Sequence, residues 1–91
     1  MALTDEQLLD FEGADEAKRA LTEHGDAFRY QLVIARHLDH LVAMSEVTKT
    51  SPTTDLAWVD GHIKAFRDTA GRLRKGDYLP GGRAYDETTS G

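Results

Sequence analysis

One segment of the chain places apolar residues at alternating steps of three and four, and this spacing constrains the fold more than any other feature. The residues are Leu56, Val59, Ile63, Phe66, Ala70 and Leu73. Because an α-helix has 3.6 residues per turn, these positions line one side of a helix. Ser51 and Pro52 suit the start of that helix, and Gly76 suits its end. The spacing therefore predicts a helix over about residues 53–75 that packs inside a bundle.

The segment from Phe28 to Val47 is the most apolar part of the chain and predicts a second helix, over about residues 27–47. One arc of that helix holds Tyr30, Ile34, Ala35, Leu38, Leu41 and Val42, whereas Val33, Met44 and Val47 lie outside it. Apolar residues thus nearly encircle the helix. We expect a central element with neighbours on more than one side.

The N-terminal segment shows a clear helix start at Thr4. Leu3, Thr4, Gln7 and Leu8 occupy the positions of a hydrophobic staple around a capping box. Gly13 is unfavourable in a helix interior, and Asp15 could cap a new start. Residues 5–24 are therefore expected to form one bent helix or two short helices.

The segment after Gly76 is rich in residues that interrupt regular structure, such as Pro80, Gly81 and Gly82. We interpret residues 77–91 as an extended tail in which Tyr78, Leu79 and Tyr85 are available to a partner. The predicted architecture is a small all-α three-helix bundle over residues 1–76, with helices at about 5–24, 27–47 and 53–75, followed by this tail.

The composition excludes disulfides and thiolate metal sites, because none of the 91 residues is a cysteine. The net charge of −5 is unevenly distributed. Residues 1–27 carry eight acids and two bases, whereas residues 61–76 carry one acid and five bases. No secretory signal or apolar span of membrane length is apparent, so we expect a location in the cytoplasm or in a particle assembled inside the cell.

Side chains that could carry chemistry are few. His37 and His40 stand three apart, and His62 or His24 could complete a zinc site, but the helical zincin pattern needs histidines four apart. A small metal-binding bundle therefore remains a third possibility, behind two binding functions. No pattern for a di-iron site or an activated serine is present. We predict a protein that is not an enzyme and holds no cofactor.

A cluster of basic residues marks the end of the 53–75 helix. It consists of Lys64, Arg67, Arg72, Arg74 and Lys75. Such a cluster can bind phosphates or an acidic protein surface. The connection before this helix is too long for a helix-turn-helix, and the helix lacks asparagine for reading bases. A solvated basic face or a patch for an acidic protein surface is therefore favoured over nucleic acid, given the overall acidity of the chain.

The back of the same helix carries small residues at steps of four, namely Ala57, Gly61 and Ala65. Small residues at this spacing allow close approach of a second helix. Trp58, His62 and Thr69 stand beside them, and tryptophan is a preferred anchor at protein interfaces. The alternative is that Gly61 simply faces solvent and Trp58 covers the edge of the bundle.

The sequence thus favours a structural or adaptor protein that contacts another protein, or further copies of itself, in a larger assembly. A viral head or tail component and a small regulator are two such architectures. The acidic residues 5–26 of one copy could meet the basic residues 64–75 of the next. A nucleic-acid-associated regulator that uses the basic cluster is the alternative.

Overall fold

The computed structural model describes residues 3–90 and shows five helices with no strand in that range. They are α1 (Asp5–Leu8), α2 (Ala14–His24), α3 (Asp26–Thr48), α4 (Leu56–Arg74) and α5 (Arg83–Thr89). The all-α prediction is confirmed. Within residues 3–90, no helix is long and apolar enough to cross a membrane.

Helices α3 and α4 form an antiparallel hairpin that is the body of the molecule. The start of α4 is set by Asp55, whose side chain accepts a hydrogen bond from the backbone N–H of Trp58 at 3.2 Å. This corrects the expected start near Ser51 and Pro52, which lie in the preceding turn. The buried residues of α4 are Val59, Ile63, Ala70 and Leu73, with Phe66 partly buried. The predicted seam is therefore confirmed except for Leu56, which is exposed.

The buried arc of α3 differs from the predicted one. Its buried residues are Phe28, Leu32, Ala35 and Val42, and Leu38 packs against them. Tyr30 and Ile34, which we expected in the core, are exposed. The reason is that α1, α2 and α4, the neighbours of α3 within residues 3–90, leave one side of α3 uncovered. The N-terminal helices cover Phe28 and Leu32, whereas α4 covers Ala35 and Val42.

The N-terminal segment folds as two short helices, and the capping box around α1 is confirmed. The side chain of Thr4 accepts from the backbone of Gln7, and the Gln7 side chain accepts from the Thr4 backbone. The cap of α2 is Gly13, not Asp15. Gly13 has a φ of +86°, which a residue with a side chain rarely adopts. Leu8 and Ala17 from these two helices pack on α3.

The segment after Gly76 is not an extended tail, which corrects the sequence interpretation. Leu79 is only 4% exposed and packs with Leu8, Phe28 and Leu32. A turn brings it there: Gly76 has a φ of +77°, and its carbonyl oxygen accepts a hydrogen bond from Leu79 at 3.0 Å. Residues from Arg83 onward then form α5. The core therefore extends beyond residue 76.

Candidate interaction surface

A stripe of apolar side chains runs along the exposed side of α3. Its members Tyr30, Val33, Ile34, Met44 and Val47 are 46% to 70% exposed. His37 and half-buried Leu41 lie between them. The positions 30, 34, 37, 41 and 44 alternate steps of four and three, which is the spacing of a helix-packing seam. A seam of this kind normally faces another helix.

Helix α4 continues the same surface through Trp58, which is 64% exposed. The imidazole of His62 lies against the indole of Trp58. The ring of Phe66 is edge-on to the same imidazole, with ring centroids 6.0 Å apart. Between α3 and α4 is an open groove of about 290 Å³. It is lined by Leu41, Met44, Ser45, Thr48, Trp58, Val59, His62 and Phe66. We call the α3 stripe together with this groove the apolar face.

The opposite side of the hairpin is polar. On α3, Asp39 and Glu46 lie across the helix from Leu41 and Met44. These two acids pair with Arg74 and Arg67 of α4. Lys49 pairs with Asp60 and Glu46, and the hydrogen bond from Lys49 to Asp60 raises the pKa of Lys49. The hairpin therefore has one side closed by ion pairs and one side left apolar.

The N-terminal helices also lie away from the apolar face. Arg29 donates two hydrogen bonds to Asp5 of α1, at 2.9 and 3.1 Å, and Arg36 donates to the backbone carbonyl of Gln7 at 3.0 Å. Both arginines lie on the flank of α3 next to its buried arc. Among residues 3–90, no element covers the stripe that includes Tyr30, Ile34 and Met44.

The small residues predicted as a helix-contact stripe are exposed. Ala57, Gly61 and Ala65 all face solvent, and a Cβ atom added to Gly61 would meet no atom within 4 Å. Their use as a contact therefore stays a prediction. Trp58 and His62 do come together, while half-buried Thr69 lies on the same flank of α4 two turns further along.

The predicted partner-binding residues near the C-terminus are separated by the fold. Leu79 is buried in the core and is not available to a partner, which corrects that prediction. Tyr78 and Tyr85 are partly exposed near the end of α4, far along the helix from Trp58. The backbone N–H of Tyr85 donates to the carbonyl of Asp77 at 2.8 Å. These tyrosines do not contribute to the groove.

The basic residues of α4 do not form one continuous patch. Arg67 is paired with Glu46 at 3.3 Å, and Arg74 is paired with Asp39 and lies 5.1 Å from the ring centre of Phe11. Arg72 lines a small cavity of about 140 Å³ together with Arg83, Asp77, Glu87 and Ala84. Lys64 and Lys75 are exposed on the back of the helix. The pairing leaves fewer positive charges available to phosphates than the sequence suggests.

The paired histidines of α3 approach each other without forming a ligand cluster. The ring centroids of His37 and His40 are 6.3 Å apart. Within the described residues 3–90, no group of three or more histidine, aspartate or glutamate side chains is placed to hold a metal ion.

The residues that the sequence interpretation missed are those of the exposed α3 stripe. The periodicity of α3 predicts Tyr30, Ile34 and Leu41 in the core and Met44 outside it. The structure leaves Tyr30, Ile34 and Met44 exposed and Leu41 half-buried. The signal that could have found them is the alternating spacing from residue 30 to residue 44. It competes with a second apolar arc on the same helix.

Searches of protein-family models, curated proteins and solved structures found no match to this chain.

Proposed function

We propose that this chain is a small non-enzymatic adaptor or structural protein that binds another protein chain through its apolar face. The observation that carries the proposal is the uncovered stripe from Tyr30 to Val47, which meets the groove beside Trp58. Apolar side chains exposed in a contiguous surface of this kind mark interaction sites. The expected setting is the cytoplasm or a particle assembled inside the cell.

The geometry of the apolar face suits a helical binding element. Leu41 and Met44 form one wall of the groove, and Trp58, His62 and Phe66 form the other. A partner helix that presents apolar side chains at steps of three and four can lay them into such a groove. Trp58 is suited to act as an anchor residue, because its side chain is large, exposed and packed against the ring of His62.

Nucleic-acid binding by the basic cluster receives less support. Arg67 and Arg74 already neutralise Glu46 and Asp39 within the chain. The contact of acidic and basic ends between copies is weakened in the same way, because Asp5 and Asp26 pair with Arg29. Several of the charged side chains that the sequence suggests for partner contacts therefore form ion pairs within the monomer.

A pair of photo-reactive side chains at adjacent positions tests the proposal. Met44 belongs to the apolar face, whereas exposed Ala43 lies about 100° further around α3, on the flank that carries Arg36. A photo-cross-linking residue is placed at one or the other position in a host that expresses the chain. We expect a protein cross-link from position 44 and little from position 43. No cross-link at 44, or equal cross-links at both positions, would show that the apolar face is not a binding surface.

A further inference from the structure

We infer that the chain bound at the apolar face is a second copy of this protein, with the two α3 helices antiparallel about a twofold axis. The inference rests on the proposed function and names the partner for the same surface. It depends on four observations: the register of the stripe, its lack of charge, its area and the position of the groove.

The register of the stripe is self-complementary in an antiparallel pair. When two identical helices run in opposite directions, the numbers of facing residues have a constant sum. A sum of 78 places Ile34 against Met44 of the second copy, His37 against Leu41, and Tyr30 against Thr48. The positions 30, 34, 37, 41 and 44 are all used in this one alignment. A twofold dimer requires that both copies present the same patch.

The stripe also carries no acidic, lysine or arginine side chain that would oppose its own copy. Asp39 stands at the centre of this register, but it lies across the helix and pairs with Arg74. His37 is the polar member of the central layers. A single polar layer in an apolar seam favours one alignment over its neighbours.

The apolar area matches that of a stable dimer. A covered aromatic side chain buries about 150–250 Å², so Tyr30 and Trp58, each 64% exposed, together offer roughly 190–320 Å². A fully covered aliphatic side chain buries about 60–120 Å² of apolar surface. At their exposures, Val33, Ile34, Met44 and Val47 add roughly 130–260 Å². A standard interface covers about 800 Å² per partner, of which about 57%, or roughly 460 Å², is apolar. The aromatic and aliphatic areas of the apolar face together give roughly 320–580 Å², a range that contains this value.

The groove has a specific occupant in this arrangement. It lies beside the end of α3 that contains Met44 and Thr48. The register brings Tyr30 of the second copy to Thr48, and therefore next to the indole of Trp58. An exposed aromatic ring from each copy thus fills the apolar groove of the other. The two hairpins together form a four-helix bundle.

Introduced cysteines test the register, because the chain contains none of its own. Ile34→Cys and Met44→Cys chains are mixed and oxidised, and each is also oxidised alone. We expect a 34-to-44 disulfide in the mixture. Little should form in either chain alone, since identical positions lie ten residues from alignment, about 15 Å along the helix. A disulfide needs Cα atoms within about 7 Å. The matched control is Ala43→Cys mixed with Ile34→Cys, which should form little disulfide.

The mass of the chain in solution separates this inference from the proposed function. Sedimentation is expected to give twice the 10.1 kDa chain mass, and Met44→Glu is expected to weaken the dimer by at least about tenfold while circular dichroism stays helical. A monomer that still cross-links to another protein at position 44 overturns the second copy and keeps the function. A monomer without that cross-link overturns both. A dimer with 34-to-34 disulfides overturns the antiparallel register.

Discussion

The indole ring of Trp58 lies against the imidazole of His62, with ring centroids 4.0 Å apart and planes tilted by 47°. The carbonyl oxygen of Trp58 accepts a hydrogen bond from Nδ1 of His62 at 2.9 Å. The bond joins residues one helical turn apart and holds the imidazole against the indole. The largest side chain of the chain is thereby kept at the edge of the groove, although most of its surface faces solvent.

Trp58→Ala is expected to weaken association while leaving the monomer folded. The exposed indole contributes little to the free energy of unfolding, so the change should be within about 0.5 kcal/mol. Circular dichroism measures the helical content, and sedimentation measures association. Trp58 is the only tryptophan, so its fluorescence in the unaltered chain should shift to shorter wavelength as the apolar face is covered. Unchanged association in the variant would show that Trp58 is no anchor.

Gly61 and Gly76 should respond to alanine with opposite signs. Gly61 is helical and has open space around it, so Gly61→Ala should stabilise the monomer by about 0.5–1 kcal/mol and raise Tm by roughly 2–8 °C. Gly76 has a φ of +77°, so the same change there should lower Tm. Thermal unfolding measures both.

Gly61→Leu tests whether the small residues of α4 meet a partner. A Cβ atom at position 61 meets open space, so the exposed leucine should leave the monomer folded. Association should weaken if a second helix approaches Ala57, Gly61 and Ala65 closely. Normal association of Gly61→Leu would remove these three residues from the interface and leave the α3 stripe in place.

Leu79 is expected to be essential for stability. Leu79→Ala should lower the free energy of unfolding by about 2–5 kcal/mol, because it removes a buried side chain that contacts Phe28. Removal of residues 78–91 should therefore be far more destabilising than removal of residues 80–91, which keeps Leu79. Urea unfolding of the two shortened chains checks this difference. Equal losses would mean that α5, rather than Leu79, stabilises the end of the bundle.

The ion pair of Asp5 with Arg29 should make stability depend on pH. The hydrogen bond from Arg29 lowers the pKa of Asp5 below its ordinary value of 3.8. Its contribution to stability is therefore present above that ordinary value and is lost as the pH falls through the lowered one. Asp5→Asn should lower Tm at neutral pH and have little effect in strong acid. A titration of the Asp5 carboxyl by NMR gives the direction of the shift directly.

Local features of the sequence predicted the local structure well. The capping box at Thr4 and the α4 seam depend on residues within one or two turns of each other, so they can be recognised without knowledge of the rest of the chain. The start of α4 shows the limit of this reasoning. Ser51, Pro52 and Asp55 are all acceptable at a helix start, and the structure uses Asp55.

Only the tertiary structure decided which arc of α3 is buried and whether Leu79 belongs to the core. Apolar residues nearly encircle α3, so its own periodicity allows more than one packing side. The placement of α2, α4 and Leu79 selects the side with Phe28, Leu32 and Ala35. The sequence by itself determined that helices form and where apolar surface is available. The burial of each surface depends on distant segments, and that choice leaves the stripe from Tyr30 to Met44 exposed.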